Sequence, residues 1–230
     1  MIAISRAVVS LVFAVGLAQP VLAQSSAAGL QAAIDPKWTS SFDAFANADK
    51  QGMPAPGGVL FVGSSSIRLW DNLEQQFNTA PIVVKRGFGG SRMEDCAAYL
   101  SRLVIPYKPR TVVVYAGEND LAEGRRPEQV LKSFTRFVEG VRAALPATRI
   151  AYVSIKPSIA RAGMLADIRA TNALISDYVS HLDNARYIDV FTPMLDSRGA
   201  PRAELFREDR LHLNQAGYAL WHDLISPSLR

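Results

Sequence analysis

The chain of 230 residues has a single cysteine, Cys96, so no disulfide can form within it and the fold must hold through its core. Its three histidines, His181, His212 and His222, are dispersed. With one cysteine beside them they offer no metal-ligand spacing, so neither a metal nor another cofactor is expected. Strong charge is missing as well. The formal net charge is +4, and the basic residues are scattered apart from pairs such as Arg125-Arg126. That pattern argues a solvated surface and no nucleic-acid partner. No low-complexity tract is present, and no repeat with a period of about 20–50 residues, which excludes solenoids.

What is present suits one ordinary domain: 49% hydrophobic and 20% charged residues, enough to build a core. The first segment reads as a leader and not as fold. Arg6 precedes an apolar run from Ala7 to Leu17, Gln19-Pro20 breaks it, and Val21-Leu22-Ala23 places small residues where a signal peptidase cuts. The run is shorter than the about 20 residues of a membrane span, and no cysteine follows Ala23 to carry a lipid. Residues 1–23 are therefore expected to be removed on export to the periplasm or medium, leaving no stable membrane anchor. Residues 24–34 are expected to be disordered, and the domain to run from 35 to 230.

Asp35-Pro36 reads as a helix N-cap followed by proline, with Trp38, Phe42 and Phe45 at helical spacing behind it. From Gly58 the chain alternates strand and helix signals. Strands are expected at 59–62, 81–84, 111–115, 150–155 and 186–190. The first three are continuously apolar, as in a parallel sheet buried on both faces. Helices are expected at 93–104, 127–145, 164–182 and 215–225. In the second of these Val130, Phe134, Phe137, Val138 and Val141 share one stripe. The pattern predicts a single three-layer α/β/α domain around a mostly parallel five-stranded sheet. Ligands of such sheets bind beyond the carboxyl ends of the strands.

The loops at that edge hold the chemistry. Ser64-Ser65-Ser66 follows the first strand, Gly87-Phe88-Gly89-Gly90 the second and Gly117-Glu118-Asn119-Asp120 the third. Asp209 and His212 stand in a polar segment before the last helix. Serine, histidine and aspartate are the parts of an acyl-transfer site, and glycine amides with an asparagine side chain are the parts of an oxyanion hole. Each element alone has a plainer reading as a cap or turn, and the glycine-rich turn could cradle an anion. Spacing does not choose among the three serines.

The ordered blocks Phe61-Val62-Gly63-Ser64-Ser65-Ser66-Ile67-Arg68-Leu69-Trp70, Arg86-Gly87-Phe88-Gly89-Gly90-Ser91, Gly117-Glu118-Asn119-Asp120 and Asp209-Arg210-Leu211-His212-Leu213-Asn214 resemble the SGNH hydrolases, also called GDSL esterases/lipases. The likeness runs from Gly58 to about Tyr218. It implies a flavodoxin-like fold and hydrolysis of an acyl ester through an acyl-enzyme. Ser65 aligns with the nucleophile, His212 with the base and Asp209 with its orienting acid. The Ser65 and Gly90 amides and the Asn119 side chain align with the oxyanion donors, with Gly89 as the near alternative to Gly90. Ser64 stands where the family usually has aspartate, and Arg86 where it often has asparagine. His181 ends a helix and His222 lies within one, which leaves His212 in a loop. Ser91-Arg92-Met93-Glu94 reads as a capping box that would start a helix just after Gly90. Trp70, Phe88 and Arg92 are the candidates to border the site, in directions the sequence does not give.

The implied substrate is a small-molecule, glycan or lipid acyl ester with a short acyl group such as O-acetyl. Transfer of the acyl group to a sugar hydroxyl by the same residues is one alternative, and a non-catalytic ligand-binding protein on this scaffold is another. The oligomeric state is not legible.

Overall fold

The computed structural model describes residues 33–77 and 82–229. The expected leader at 1–23 and nearly all of the segment 24–34 lie outside them. Five strands form one sheet in the order β2-β1-β3-β4-β5, and every neighbouring pair is parallel.

In chain order, a 3-10 turn at Pro36–Trp38 leads into α1 (Thr39–Gln51), followed by β1 (Val59–Gly63), α2 (Ser65–Arg68) and α3 (Leu73–Gln76). Then come β2 (Val83–Gly87), α4 (Met93–Ala98), α5 (Leu100–Leu103), β3 (Thr111–Tyr115), α6 (Glu118–Ala122) and α7 (Pro127–Ala144). The chain closes with β4 (Arg149–Val153), α8 (Leu165–Ser180), β5 (Ala185–Ile188) and α9 (Gln215–Ile225).

β1 and β3 are buried along their whole length, as their unbroken apolar runs require. Alternate residues serve the two faces. Leu60, Val62, Val112, Val114, Ile150 and Tyr152 pack with residues of α1, α4, α5, α7 and α8. Val59, Phe61, Val113, Tyr115, Ala151 and Val153 pack with residues of α2, α3 and α9. The predicted stripe of α7 is buried throughout. These two cores are the outer spaces of a three-layer α/β/α sandwich.

Several boundaries differ from the sequence reading. Asp35 caps the Lys37 N–H at 3.0 Å as expected, but the first turn is 3-10 and the α-helix starts at Thr39. The second strand runs on to Gly87, and its expected start at Pro81 lies outside the described residues. The single helix expected at 93–104 is two short ones, broken at Tyr99. Tyr99 is held from outside the helix: its ring meets Trp38 and Phe42, and its hydroxyl donates to Ala33 O and accepts from the Asp35 N–H. The fourth and fifth strands end two residues early, at Val153 and Ile188. Beyond them Ser154 Oγ accepts from Val190 N and Phe191 N, which ends the regular pairing.

Register positions the site. Gly63 of β1 is level with Gly87 of β2 and Tyr115 of β3. The three loops that follow therefore leave the sheet side by side at one edge. Among the described residues no helix is long and apolar enough to cross a membrane.

Candidate active site

The serine turn is built on one glycine. Gly63 has φ +145°, and a Cβ there would stand 1.9 Å from Tyr115 O, so only glycine lets β1 end this close to β3. The chain then turns at once. Ser64 N–H donates to Tyr115 O at 3.0 Å, and Ser64 O accepts from Ile67 N and Arg68 N. From behind, the Tyr218 hydroxyl of α9 donates to Ser66 O at 2.9 Å. Ser64 and Ser66 are thereby buried, while Ser65 opens onto a groove of about 490 Å³. Of the three serines that spacing left open, Ser65 alone lines the groove.

The histidine arrives on the segment before α9. A bridge between Phe206 and Leu213 closes that loop, Arg207 N–H donates to His212 O, and Asn214 caps α9 at Gly217 N. His212 Nε2 stands 3.0 Å from Ser65 Oγ, across 147 positions of sequence. On its other side His212 Nδ1 lies 2.6 Å from Asp209 Oδ2. Asp209 Oδ1 also accepts from the Leu211 and His212 N–H groups, both at 2.9 Å. Burial alone pushes the Asp209 carboxyl up, but the bonds from His212 and Leu211 outweigh it and bring it down to about 2. The carboxylate thus stays ionised across the neutral range. A carboxylate on Nδ1 fixes the tautomer whose Nε2 can accept the serine proton.

Gly90, at φ +74°, and Gly89 turn on the groove wall beside Ser65. Gly89 O is taken by the Trp38 indole N–H at 2.9 Å, while the N–H groups of both glycines carry no hydrogen bond among the described residues. Asn119, near the head of α6, also faces the groove. Its Nδ2 donates once, to Ser91 O at 3.0 Å, leaving its second N–H for a ligand. Its Oδ1 accepts from Arg161 Nη2 at 3.1 Å, so the amide can present only its nitrogen side to the groove.

The expected capping box is shifted by one residue. Arg92, not Ser91, is the N-cap of α4, and its N–H donates to Asp95 Oδ2 at 2.8 Å. Asp120 Oδ2 accepts from Met93 N at 2.8 Å. Two carboxylates therefore occupy the positive end of α4, which starts just after Gly90 as expected.

Of the residues expected to border the site, none lines the groove. Trp70 is fully buried, stacked on Tyr218 at 4.9 Å; Phe88 is buried against Trp38; Arg92 is paired with Glu94, Asp95 and Glu123. Six lining residues were not read as part of the site: Lys37, Trp38, Ser40 and Ser41 around the start of α1, Arg68 one turn after Ser65, and Leu211 beside His212. Arg161 was also missed. It lies in the loop after β4, at the same sheet edge as the first three loops, and that position was the available signal. Beneath it Glu118 is buried among the Lys156 Nζ, 2.8 and 2.6 Å from its two oxygens, the Tyr115 hydroxyl at 2.8 Å and Arg161 at 3.6 Å. Burial would raise the Glu118 carboxyl, but the two cations hold it below its ordinary range.

The other reactive side chains are occupied elsewhere. His181 Nδ1 lies 2.8 Å from Asp177 O at the end of α8, and His222 packs on Phe77. Cys96 is buried, which pushes its thiol up and away from the reactive thiolate.

Residues 54–220 match the model of the GDSL-like lipase/acylhydrolase family. The chain belongs to that family. This GDSL-like acylhydrolase is therefore a carboxylic ester hydrolase acting on small-molecule esters. No protein among curated sequences matches it. Solved structures share its fold. A Streptococcus pneumonia protein provisionally described as a platelet activating factor has a TM-score of 0.74 at 21% identity, over 84% of this chain and 93% of that one. A GDSL-like lipase from Bacteroides thetaiotaomicron has a TM-score of 0.69 at 20% identity, over 82% and 96%. A carbohydrate esterase family 3 protein from Talaromyces cellulolyticus has a TM-score of 0.61 at 21% identity, over 74% and 95%.

The two departures from the family pattern have structural roles here. Ser64 ties β1 to β3 and starts the serine turn. Arg86 is buried and joins β2 to α1 and the loop before β3, through Asp49 and the Tyr107 hydroxyl.

Proposed function

We propose that this acylhydrolase cleaves short acyl esters by attack of Ser65, with His212 as base and Asp209 as its orienting acid. The observation that carries the reading is the unbroken line from Ser65 Oγ to His212 Nε2 at 3.0 Å and from His212 Nδ1 to Asp209 at 2.6 Å. As Ser65 Oγ bonds to the acyl carbon, its proton passes to His212 Nε2 and the carbonyl oxygen becomes negative. The Ser65 and Gly90 N–H groups and the free Asn119 Nδ2 hydrogen receive that charge. The imidazolium, held by Asp209, returns the proton to the departing alcohol. Water then repeats the sequence on the acyl-enzyme, releasing the acid and restoring Ser65.

The groove favours a short acyl group. Its walls are glycine backbone, Lys37, Ser40, Ser41, Arg68 and Asn119, and the only hydrophobic residues on them are Trp38, itself almost wholly buried, and Leu211. A long chain would find nothing to cover it. Met53 is the only large hydrophobic side chain exposed among the described residues, so a lipid-docking face has no support there. Export completes the proposal and rests on the leader pattern of residues 1–23 alone.

The test is a panel of p-nitrophenyl esters from acetate to long chain, with Ser65→Ala as control. Turnover highest on the shortest esters and abolished in Ser65→Ala is the expected result. Turnover unchanged in Ser65→Ala would remove Ser65 from the reaction, and a preference for long chains would refute the short-acyl reading.

A further inference from the structure

The groove holds two cations that the reaction above does not use, Lys37 and Arg68. Arg68 is the last residue of α2, three after Ser65, a spacing that places both on one side of the turn. Its guanidinium lies across Gly89: a Cβ on that glycine would stand 2.8 Å from Nε and 3.2 Å from Nη2. Gly87 clears the Arg68 main chain in the same way, since a Cβ there would come within 2.3 Å of its nitrogen. Gly89 on the wall and Gly87 at the end of β2 thus both make room for this arginine.

Neighbouring arginines are committed. Arg92 is paired with Asp95, Arg161 binds Asn119 and Glu118, and Arg207 donates to the Leu213 and Leu69 carbonyls. Lys37, the other cation on the wall, is answered by Asp35 at 3.4 Å. The exposed Arg68 side chain makes no ion pair or hydrogen bond among the described residues, and no carboxylate lines the groove. It is the uncompensated charge beside Ser65. A guanidinium free to bind offers a planar fork matched to carboxylate, sulfate or phosphate oxygens, and Ser40 and Ser41 add hydroxyls on the same wall.

We infer that the site takes esters whose alcohol portion carries an anionic group, bound by Arg68. The inference rests on the proposed hydrolysis at Ser65. An acyl part as short as the groove favours leaves no place for the charge except the alcohol.

The experiment compares kcat/KM for 4-acetoxybenzoate and 4-acetoxybenzenesulfonate with that for the neutral 4-acetoxybenzamide, each divided by its own hydroxide-catalysed rate. It is run on the parent enzyme, Arg68→Gln and Arg68→Lys. The ratio is read within each variant, so any loss of folded enzyme cancels. The parent should favour at least one anionic ester by roughly ten-fold, the scale of one solvent-exposed hydrogen bond to a charged group. Arg68→Gln should bring the ratio near one, Arg68→Lys should retain part of it, and added salt should narrow it. The carboxylate and sulfonate arms identify the preferred anion. A parent ratio near one, or a preference that survives Arg68→Gln, overturns the inference. If the parent hydrolyses none of the three, including the neutral ester, the esterase reading itself fails and takes this one with it.

Discussion

Replacing Lys156 by methionine tests the buried charge behind the candidate oxyanion hole. Lys156 has no exposed surface, and its Nζ is within 2.8 Å of both Glu118 oxygens. The variant leaves Glu118 buried, with Arg161 at 3.6 Å as its remaining cation. Breaking a buried pair by removing one partner costs about 3–5 kcal/mol. For a domain of this size each kcal/mol lowers Tm by roughly 2–4 °C, so a fall of about 6–20 °C at pH 7 is expected. The loss should shrink on acidification, because a Glu118 without its partner has its carboxyl raised and is relieved by taking a proton. The double variant Lys156→Met with Glu118→Gln should recover much of the loss, since neither charge then remains unanswered. Thermal unfolding of the parent, both single variants and the double variant at pH 5 and pH 7 measures all of this. A shift in Tm under about 2 °C for Lys156→Met at pH 7 would refute an ionised pair at this position.

Asn119→Ala should lower kcat by about 100- to 1,000-fold with little change in KM, the loss expected for one oxyanion donor. A rise in KM at constant kcat would place Asn119 in ground-state binding instead. Arg161→Ala should lower kcat by roughly ten-fold by freeing the Asn119 amide to turn, and should add almost nothing in an Asn119→Ala background. Additive losses would mean that Arg161 acts by another route. Asp120 is 0% exposed, and its Oδ1 has no hydrogen-bond partner. Burial raises its carboxyl to about 6, so the folded state binds the proton more tightly than the unfolded chain does. Its contribution is full below pH 4 and is lost as pH rises through 6, a fall of up to about 3 kcal/mol. Asp120→Asn should flatten that slope in urea unfolding between pH 4 and pH 7, and an unchanged slope would assign the titration to another group.

The sheet was legible because β1 and β3 are apolar without a break, a pattern that only burial on both faces explains. The loops were legible as a set because parallel strands deliver their carboxyl ends to one edge. Local signals failed where distant contacts decide. Nothing near Tyr99 announces a broken helix, because its ring is held by Trp38 and Phe42, more than fifty positions earlier. That Ser65 and not its neighbours lines the groove depends on Tyr115 and Tyr218, whose hydrogen bonds hold Ser64 and Ser66 inside. Arg68, Arg161 and the start of α1 were unread for the same reason: charged and polar side chains carry no periodic signature, and only the fold shows which ones turn to the groove.

The central claim is that Ser65 is activated by His212 across the sheet edge. A fluorophosphonate probe followed by intact mass and peptide mapping tests it directly. One adduct per chain on Ser65, absent in Ser65→Ala and formed far more slowly in His212→Ala, is the expected result. An adduct on Ser64 or Ser66, or labelling of His212→Ala as fast as the parent, would contradict it.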